Sequence, residues 1–234
     1  MRKFAAGFLL AVTVLFTLNC LADEDEDKAK IVERVESAGN VLNEVMAAPD
    51  KGIPEEILSS AKCVAVVPSL LKGGLGFGAQ YGRGVASCRS DKGWSAPAFF
   101  VVEGGSFGLQ IGGQAVDLVM IIMNDDGMKR LLTSKFKLGV DASVAAGPVG
   151  RHAEGMTDLT MRAQVLTYSR ARGAFAGLAL NGAVIKQDKS STRTFYGHMV
   201  PYRSLLTGAT PVPAAAQPYL GALSKYAAHK AEGK

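Results

Sequence analysis

Lys72-Gly73-Gly74-Leu75-Gly76-Phe77-Gly78-Ala79-Gln80-Tyr81-Gly82-Arg83-Gly84 is the stretch on which the fold turns. Gly74-x-Gly76-x-x-Ala79 fits the loose dinucleotide pattern. That pattern has meaning only where a strand leads in and a helix comes after, with a pyrophosphate on the helix N-terminus. The chain beyond it, through Val85-Ala86-Ser87-Cys88, is poor in helix formers and has no capping residue. No Lys-Ser or Lys-Thr stands after a glycine loop, so a P-loop is excluded as well. From 76 to 84, Gly76, Gly78, Gly82 and Gly84 share one face with Gln80, while Phe77, Ala79 and Tyr81 share the other. That period of two is the period of a strand.

The pattern recurs. Gly108, Gln110 and Gly112 oppose Phe107, Leu109 and Ile111; Gly139, Asp141, Ser143, Ala145 and Gly147 oppose Leu138, Val140, Ala142, Val144 and Ala146. The stretch from Gly173 to Ile185 is again small and alternating. Glycine weakens an isolated strand, so its repetition marks close backbone approach or strong coiling. The fold class expected is α+β, with a strongly curved antiparallel glycine-rich β-sheet or barrel and N-terminal helices packed on it. Cys63 to Val67 and Val116 to Met123 are continuous apolar strands, and Leu159 to Tyr168 reads as strand or helix.

Upstream the period changes. Ile31, Val35, Ala38, Val41, Leu42, Val45 and Met46 recur at three and four, which predicts a helix over Lys28 to Ala48 with one apolar stripe. Its other face carries Glu33, Glu36 and Glu44 against Arg34, a composition that favours packing on the protein's own core over lying on a membrane. Pro54 and Glu55-Glu56 open a short second helix. Another is expected from Asp126 to Ser134, capped by Asp125 or Asp126. The region from Pro201 to Lys234, with a weak amphipathic pattern at Leu220, Leu223 and Ala227, is expected to dock loosely or fray.

Met1-Arg2-Lys3 ahead of an uncharged stretch from Phe4 to Leu18 reads as an export signal over residues 1–22, with cleavage before Asp23. A lipoprotein signal acylated at Cys20 is the alternative. Residues 23–29 then form an acidic leader, and a periplasmic or secreted location is expected. Net charge divides: residues 23–49 hold eight acids and three bases, whereas residues 50–234 hold 21 bases and 13 acids. A mildly basic body suits an anionic surface, and nucleic acid is not an expected partner of an exported chain. Cys63 and Cys88 are expected to pair, since a hairpin around Gly73 to Gly76 places them on adjacent strands; two buried thiols are the alternative.

The order of motifs resembles one known family. Ile53-Pro54 and a short helix, Ala61-Lys62 leading the first strand, and the alternating strand to Gly84 come first. Gly93-Trp94-Ser95-Ala96-Pro97 and Gly104-Gly105-Ser106-Phe107-Gly108-Leu109-Gln110-Ile111-Gly112 with Asp117 come next. Gly147-Pro148-Val149-Gly150-Arg151 and Tyr168-Ser169-Arg170-Ala171-Arg172-Gly173 complete the set. Together they are similar to the SYLF lipid-binding domain family over roughly residues 30–197, leaving 198–234 as a C-terminal tail. Eukaryotic members of that family bind phosphoinositides, partly through an N-terminal amphipathic helix, and a yeast endocytic member also binds actin. An exported chain meets neither cytosolic phosphoinositides nor actin. That lipid-binding helix is basic where characterised. The acidic face here departs from it, so the implied property is affinity for anionic lipid in general, by a site that has moved.

Few residues suggest chemistry. Gly93-Trp94-Ser95-Ala96-Pro97 lacks the second glycine of a nucleophile elbow. His152-Ala153-Glu154 with Asp158 reads as a surface turn, and Asn124-Asp125-Asp126-Gly127 as a helix cap rather than a calcium loop. Asp141 is expected to be buried as a partner for an arginine. No enzyme, cofactor or metal is expected. Lys135, Lys137, Arg151, Arg170 and Arg172 lie beside glycines or turns. If those turns share one rim of the sheet, they form a patch for anionic phospholipid membranes; if they alternate rims, they are ordinary surface charges. A scaffold that binds another envelope protein is the alternative function.

Overall fold

The computed structural model describes residues 2–48, 52–75, 77–107, 112–149, 162–171, 174–177 and 180–227. Helix α1 spans Arg2–Ala47, starting well before Lys28, and the acidic run at 23–27 lies within it. Pro54 precedes α2, Glu55–Ser60. Strands β1, Cys63–Leu75, and β2, Phe77–Ser90, are antiparallel neighbours that meet at Leu75 and Phe77. The glycine stretch from Lys72 is therefore the distal half of a hairpin. Short β3, Gly93–Trp94, pairs with β2 and leads into β4, Ala98–Phe107, and β5, Gly112–Ile122. After α3, Asp125–Leu131, come β6, Lys135–Lys137, β7, Val144–Ala146, β8, Val165–Ala171, β9, Ala174–Gly177, and β10, Val184–Gln187. Helices α4, Lys189–Tyr196, α5, Tyr202–Leu206, and α6, Gln217–Tyr226, end the described chain.

Among the described residues ten strands form one sheet, whose main path runs β6-β10-β4-β2-β1-β5-β8-β7; β3 and β9 branch from it. Pairing is antiparallel except for β7 with β8, so the sheet is mixed. Laid flat, eight strands would put the edges about 34 Å apart. The edges β6 and β7 are joined by residues 138–143 alone, a reach of at most about 25 Å when fully extended. That link is itself folded back, with the Asp141 amide donating to the Lys137 carbonyl at 2.8 Å and Gly139 at φ +79°. The sheet has to roll, and it forms a half-barrel with α1 packed against it.

Rolling creates two cores. The concave one gathers Ala65, Val67, Phe100, Leu118 and Met120 from the middle strands with Phe136, Leu138 and Ile185 from the edge, closed by Leu205 and Leu206 of α5. On the other face, Val64, Val66, Val85, Phe99 and Ile121 meet the helices. The expected stripe of α1 is buried there, from Ile31 through Val45, so it packs on the protein's own core.

The C-terminal region corrects the expectation of loose docking. Tyr219 and Leu223 of α6 are buried beside α1, and the Tyr219 hydroxyl donates to the Val64 carbonyl at 2.7 Å. Arg89 donates to the carbonyls of Ala61, Leu58, Ser59 and Ala227 while its guanidinium lies 4.6 Å over the Trp94 ring. Those carbonyls end α2 and α6, where helices leave acceptors unpaired and favour a cation. The amphipathic signal was weak because α6 is short and offers one tyrosine and one leucine pair to the core.

Cys63 and Cys88 stand directly opposite on β1 and β2 and are joined by a disulfide. The alternating run from Leu138 to Gly147 is not one strand. It is a turn leading into β7, because Asp141 folds the chain back by accepting from the Lys137 amide at 2.7 Å. Asp141 is exposed rather than buried against an arginine. The α3 cap is Asn124, whose side chain accepts from the Gly127 amide, rather than either aspartate after it. The stretch 108–111 lies outside the described residues.

A Cβ on Gly84 would sit 2.5 Å from the Val66 carbonyl oxygen and 2.6 Å from the Phe100 ring. Backbone cannot yield as a flexible side chain does. Gly84→Ala is therefore expected to destabilise the protein by about 1–3 kcal/mol through overpacking, read as a lower urea midpoint with an unchanged slope.

Candidate functional site

Of the five basic residues expected to form a patch, Lys135, Lys137 and Arg170 fall among the described residues. Arg170 on β8 is committed within the fold: it meets Asp117 on β5 at 2.6 Å and also pairs with Glu44 of α1. Asp117 in turn accepts from the Ser69 amide at 3.1 Å, holding Ser69 at φ +64° in a bulge of β1. Burial raises the Asp117 carboxyl above the usual carboxylate value, partly offset by the Ser69 hydrogen bond. The acidic face of α1 is thus partly a docking face, with Glu44 reaching the sheet. Arg151 and Arg172 lie outside the described residues, as do His152, Glu154 and Asp158.

Lys135 and Lys137 are exposed on β6, their neighbour Phe136 turned into the concave core. Arg170 stands apart from them. The link after Lys137 meets β8 at its start, where Ser143 and Gln164 exchange hydrogen bonds. Arg170 lies five residues beyond Val165, about 17 Å along the strand. What joins Lys135 and Lys137 instead is α3. The Thr133 hydroxyl bridges the carbonyls of Arg130 and Lys135 at 2.6 and 3.1 Å. Asp126, Lys129, Arg130, Thr133 and Gln164 line a shallow depression of about 470 Å³ beside them. Lys129 is paired with Asp126, and Arg162, two residues before Gln164, is exposed. Among the described residues Arg130, Lys135 and Lys137 form no ion pair within 4 Å, and Arg130 acts on the Asp126 carboxylate only at longer range, behind Lys129. Sequence reading missed Lys129, Arg130 and Arg162 because only the folded link brings α3, β6 and the start of β8 to one corner.

A second polar centre joins α1, β2 and α4. Asp188 is buried and caps α4, accepting from the Ser191 amide at 3.0 Å and from the Ser190 and Ser191 hydroxyls. The Arg34 and Arg83 guanidiniums lie 3.8 and 3.9 Å away, and Arg83 also donates to the Tyr81 hydroxyl. Burial pushes the Asp188 carboxyl up, but the hydrogen bonds from Ser191 and Ser190, with Arg83, outweigh it and hold the group below the usual value. Ser95, the serine of the Gly-Trp-Ser-Ala-Pro turn, is buried and accepts from the Cys88 amide at 3.0 Å, a structural use. Among the described residues no cluster of three His, Cys, Asp or Glu side chains has the spacing to hold a metal.

Residues 103–226 match the model of a family described as Las17-binding protein actin regulator, Ysc84. Over 171 residues, 72% of this chain, the sequence is 36% identical to human SH3 domain-containing YSC84-like protein 1. Over 191 residues, 79% of the chain, it is 34% identical to Protein YSC84 of Saccharomyces cerevisiae. It is also 34% identical to LAS seventeen-binding protein 3 of that yeast over the same length. The chain spans half of the human relative and 40% of Protein YSC84. These comparisons overturn the expected periplasmic or secreted location: the relatives are eukaryotic, from cells without a bacterial envelope, and the family is described by an actin-regulating role. The envelope partner and the export signal lose their support with it.

Both charged centres can be tested through stability. Arg170→Ala leaves the half-buried Asp117, and the exposed Glu44, without their cation, so it is expected to lower the melting temperature by several degrees, corresponding to about 1–3 kcal/mol, most of it from Asp117. For Asp188 the folded pKa lies below the unfolded one, so its contribution is present above the unfolded value of about 3.9 and is lost as pH falls through the folded value. Urea denaturation of wild type and Asp188→Asn at pH 7 and at pH 2–3 is expected to show a stability gap that narrows in acid.

Proposed function

Because the chain belongs to the Ysc84, or SYLF, family, we propose that it is a non-catalytic binding module that docks on anionic phospholipid surfaces through the corner formed by α3, β6 and the start of β8. The observation that carries this reading is the exposure of Arg130, Lys135 and Lys137 together, with no acid paired to any of them among the described residues. A basic side chain near an anionic bilayer contributes about 1 kcal/mol, so three acting together give roughly a hundredfold in affinity. Their attraction falls as salt shortens the Debye length from about 10 Å at 0.1 M to about 3 Å at 1 M. Arg170 is not part of this surface, since its charge is spent on Asp117 and Glu44.

A protein partner is the second reading. It is favoured by the family's description as Las17-binding and by Leu71 and Tyr81, which are exposed directly opposite each other on β1 and β2. Apolar side chains grouped on an accessible sheet face suit protein contact better than solvent.

Sedimentation with vesicles of phosphatidylcholine, with and without phosphatidylserine, separates the two. The lipid reading expects binding only to the phosphatidylserine vesicles, fading in high salt and about a hundredfold weaker for Arg130→Ala/Lys135→Ala/Lys137→Ala. Salt-independent binding, equal binding to both vesicles, or a triple variant of full affinity would overturn it and leave the protein reading.

A further inference from the structure

The glycine stretch that decides the fold also places a row of polar side chains that neither core nor corner uses. Beyond the bulge, the even-numbered residues of β1 face the concave side: Leu70 belongs to the concave core and Lys72 is the next on that side. Lys72 stands opposite Gln80 on β2 and Gln114 on β5, and Gln80 stands opposite Gly104 on β4. Val102 and Val116, one step further in on β4 and β5, are concave core residues. The row therefore marks the rim where the apolar interior of the half-barrel gives way to solvent. Across the strands its members run from Gln80, buried, through Lys72, half-buried, to Gln114, exposed.

Among the described residues no counter-charge accompanies the ammonium. The acids nearest in register, Glu103 and Asp117, hold odd positions on the opposite face and are paired with Lys186 and Arg170. Among the described residues none pairs with Lys72, and burial holds its ammonium below the usual lysine value. Withdrawing a cation from water without an anion is costly, and a bound anion would offset that cost. The flanking carboxamides supply N–H donors, which a carboxylate neighbour would not. One step further out on the same side, Gly78, Gly74 and Gly112 stand abreast on β2, β1 and β5. Three glycines in register leave a floor of bare backbone, which a ligand can approach closely.

We propose that Lys72, Gln80 and Gln114 form a site for an anionic oxygen group of the phosphate or phosphomonoester class at the rim of the half-barrel. The ammonium neutralises the charge, the two carboxamides hold the oxygens, and the glycine row admits whatever the phosphate is attached to. A free phosphate and a lipid headgroup share this chemistry. The site is separate from the α3–β6 corner and does not depend on it.

Calorimetric titration of the full chain with sodium phosphate, against sodium chloride of equal ionic strength, tests it. Wild type is expected to bind saturably and to melt higher with phosphate, since a ligand of the native state stabilises it. Lys72→Met is expected to bind at least tenfold more weakly while melting no lower than wild type without phosphate. Gln114→Ala, a change at an exposed position, is expected to weaken binding severalfold and keeps the test decisive if Lys72→Met fails to fold. No saturable phosphate binding by wild type, or unchanged affinity in these variants, would overturn the site. Vesicles containing phosphatidic acid, tested on the Arg130/Lys135/Lys137 triple variant with and without Lys72→Met, identify the source. Binding lost with Lys72 assigns a lipid headgroup; vesicle binding that ignores Lys72 while phosphate binding is lost assigns a soluble phosphate.

Discussion

The molecule depends on burying β1 on both faces while its chain keeps to one sheet. From Cys63 to Val67 alternate residues serve the two cores, and the bulge at Pro68 and Ser69 then shifts the count by one. Without that shift Leu71 instead of Leu70 would point into the half-barrel, and every residue beyond would change sides. A serine in the left-handed region is costly, and the Asp117 carboxylate secures it through the Ser69 amide. Asp117 is in turn held by Arg170, and Arg170 by Glu44, so one chain of charges links the bulge, two neighbouring strands and the long helix.

This arrangement explains which parts of the structure were readable in the sequence. A period of two in Phe77, Ala79 and Tyr81, and the three-and-four spacing of Ile31, Val35 and Val45, report local geometry and need no partner to interpret. The bulge was not readable, because Pro68-Ser69 does not announce a φ of +64° that a distant aspartate stabilises. Nor was the turn at Gly139: alternation of small residues over 138–147 mimics a strand, and only the Asp141 carboxylate bonded to the Lys137 amide turns the chain.

The candidate site was legible in part for the same reason. Lys135 and Lys137 stand out locally, beside a turn, and are exposed as expected. Arg170 carries the same local signature, yet its neighbours in space are acids from β5 and α1, which no spacing along the chain reveals. Arg130, in the last turn of the short α3, carries no such signature. Its place beside β6 depends on Thr133 bridging the two segments. Charge in a sequence identifies candidates, and tertiary pairing decides which remain available to a partner.

The seating of α6 has a consequence for how the chain folds. Tyr219 reaches Val64 across 155 residues, and Arg89 holds the Ala227 carbonyl across 138. The helical face of the sheet is therefore completed by some of the last described residues, although α1, which shares that layer, comes among the first. A chain emerging from the ribosome has made β1 and β2 long before anything can cover Tyr219's place beside Val64. Its contacts are of high order, and closure of the helical layer is a late step. Until then the apolar stripe of α1 lacks the cover that Tyr219, Leu220 and Leu223 give it in the finished layer.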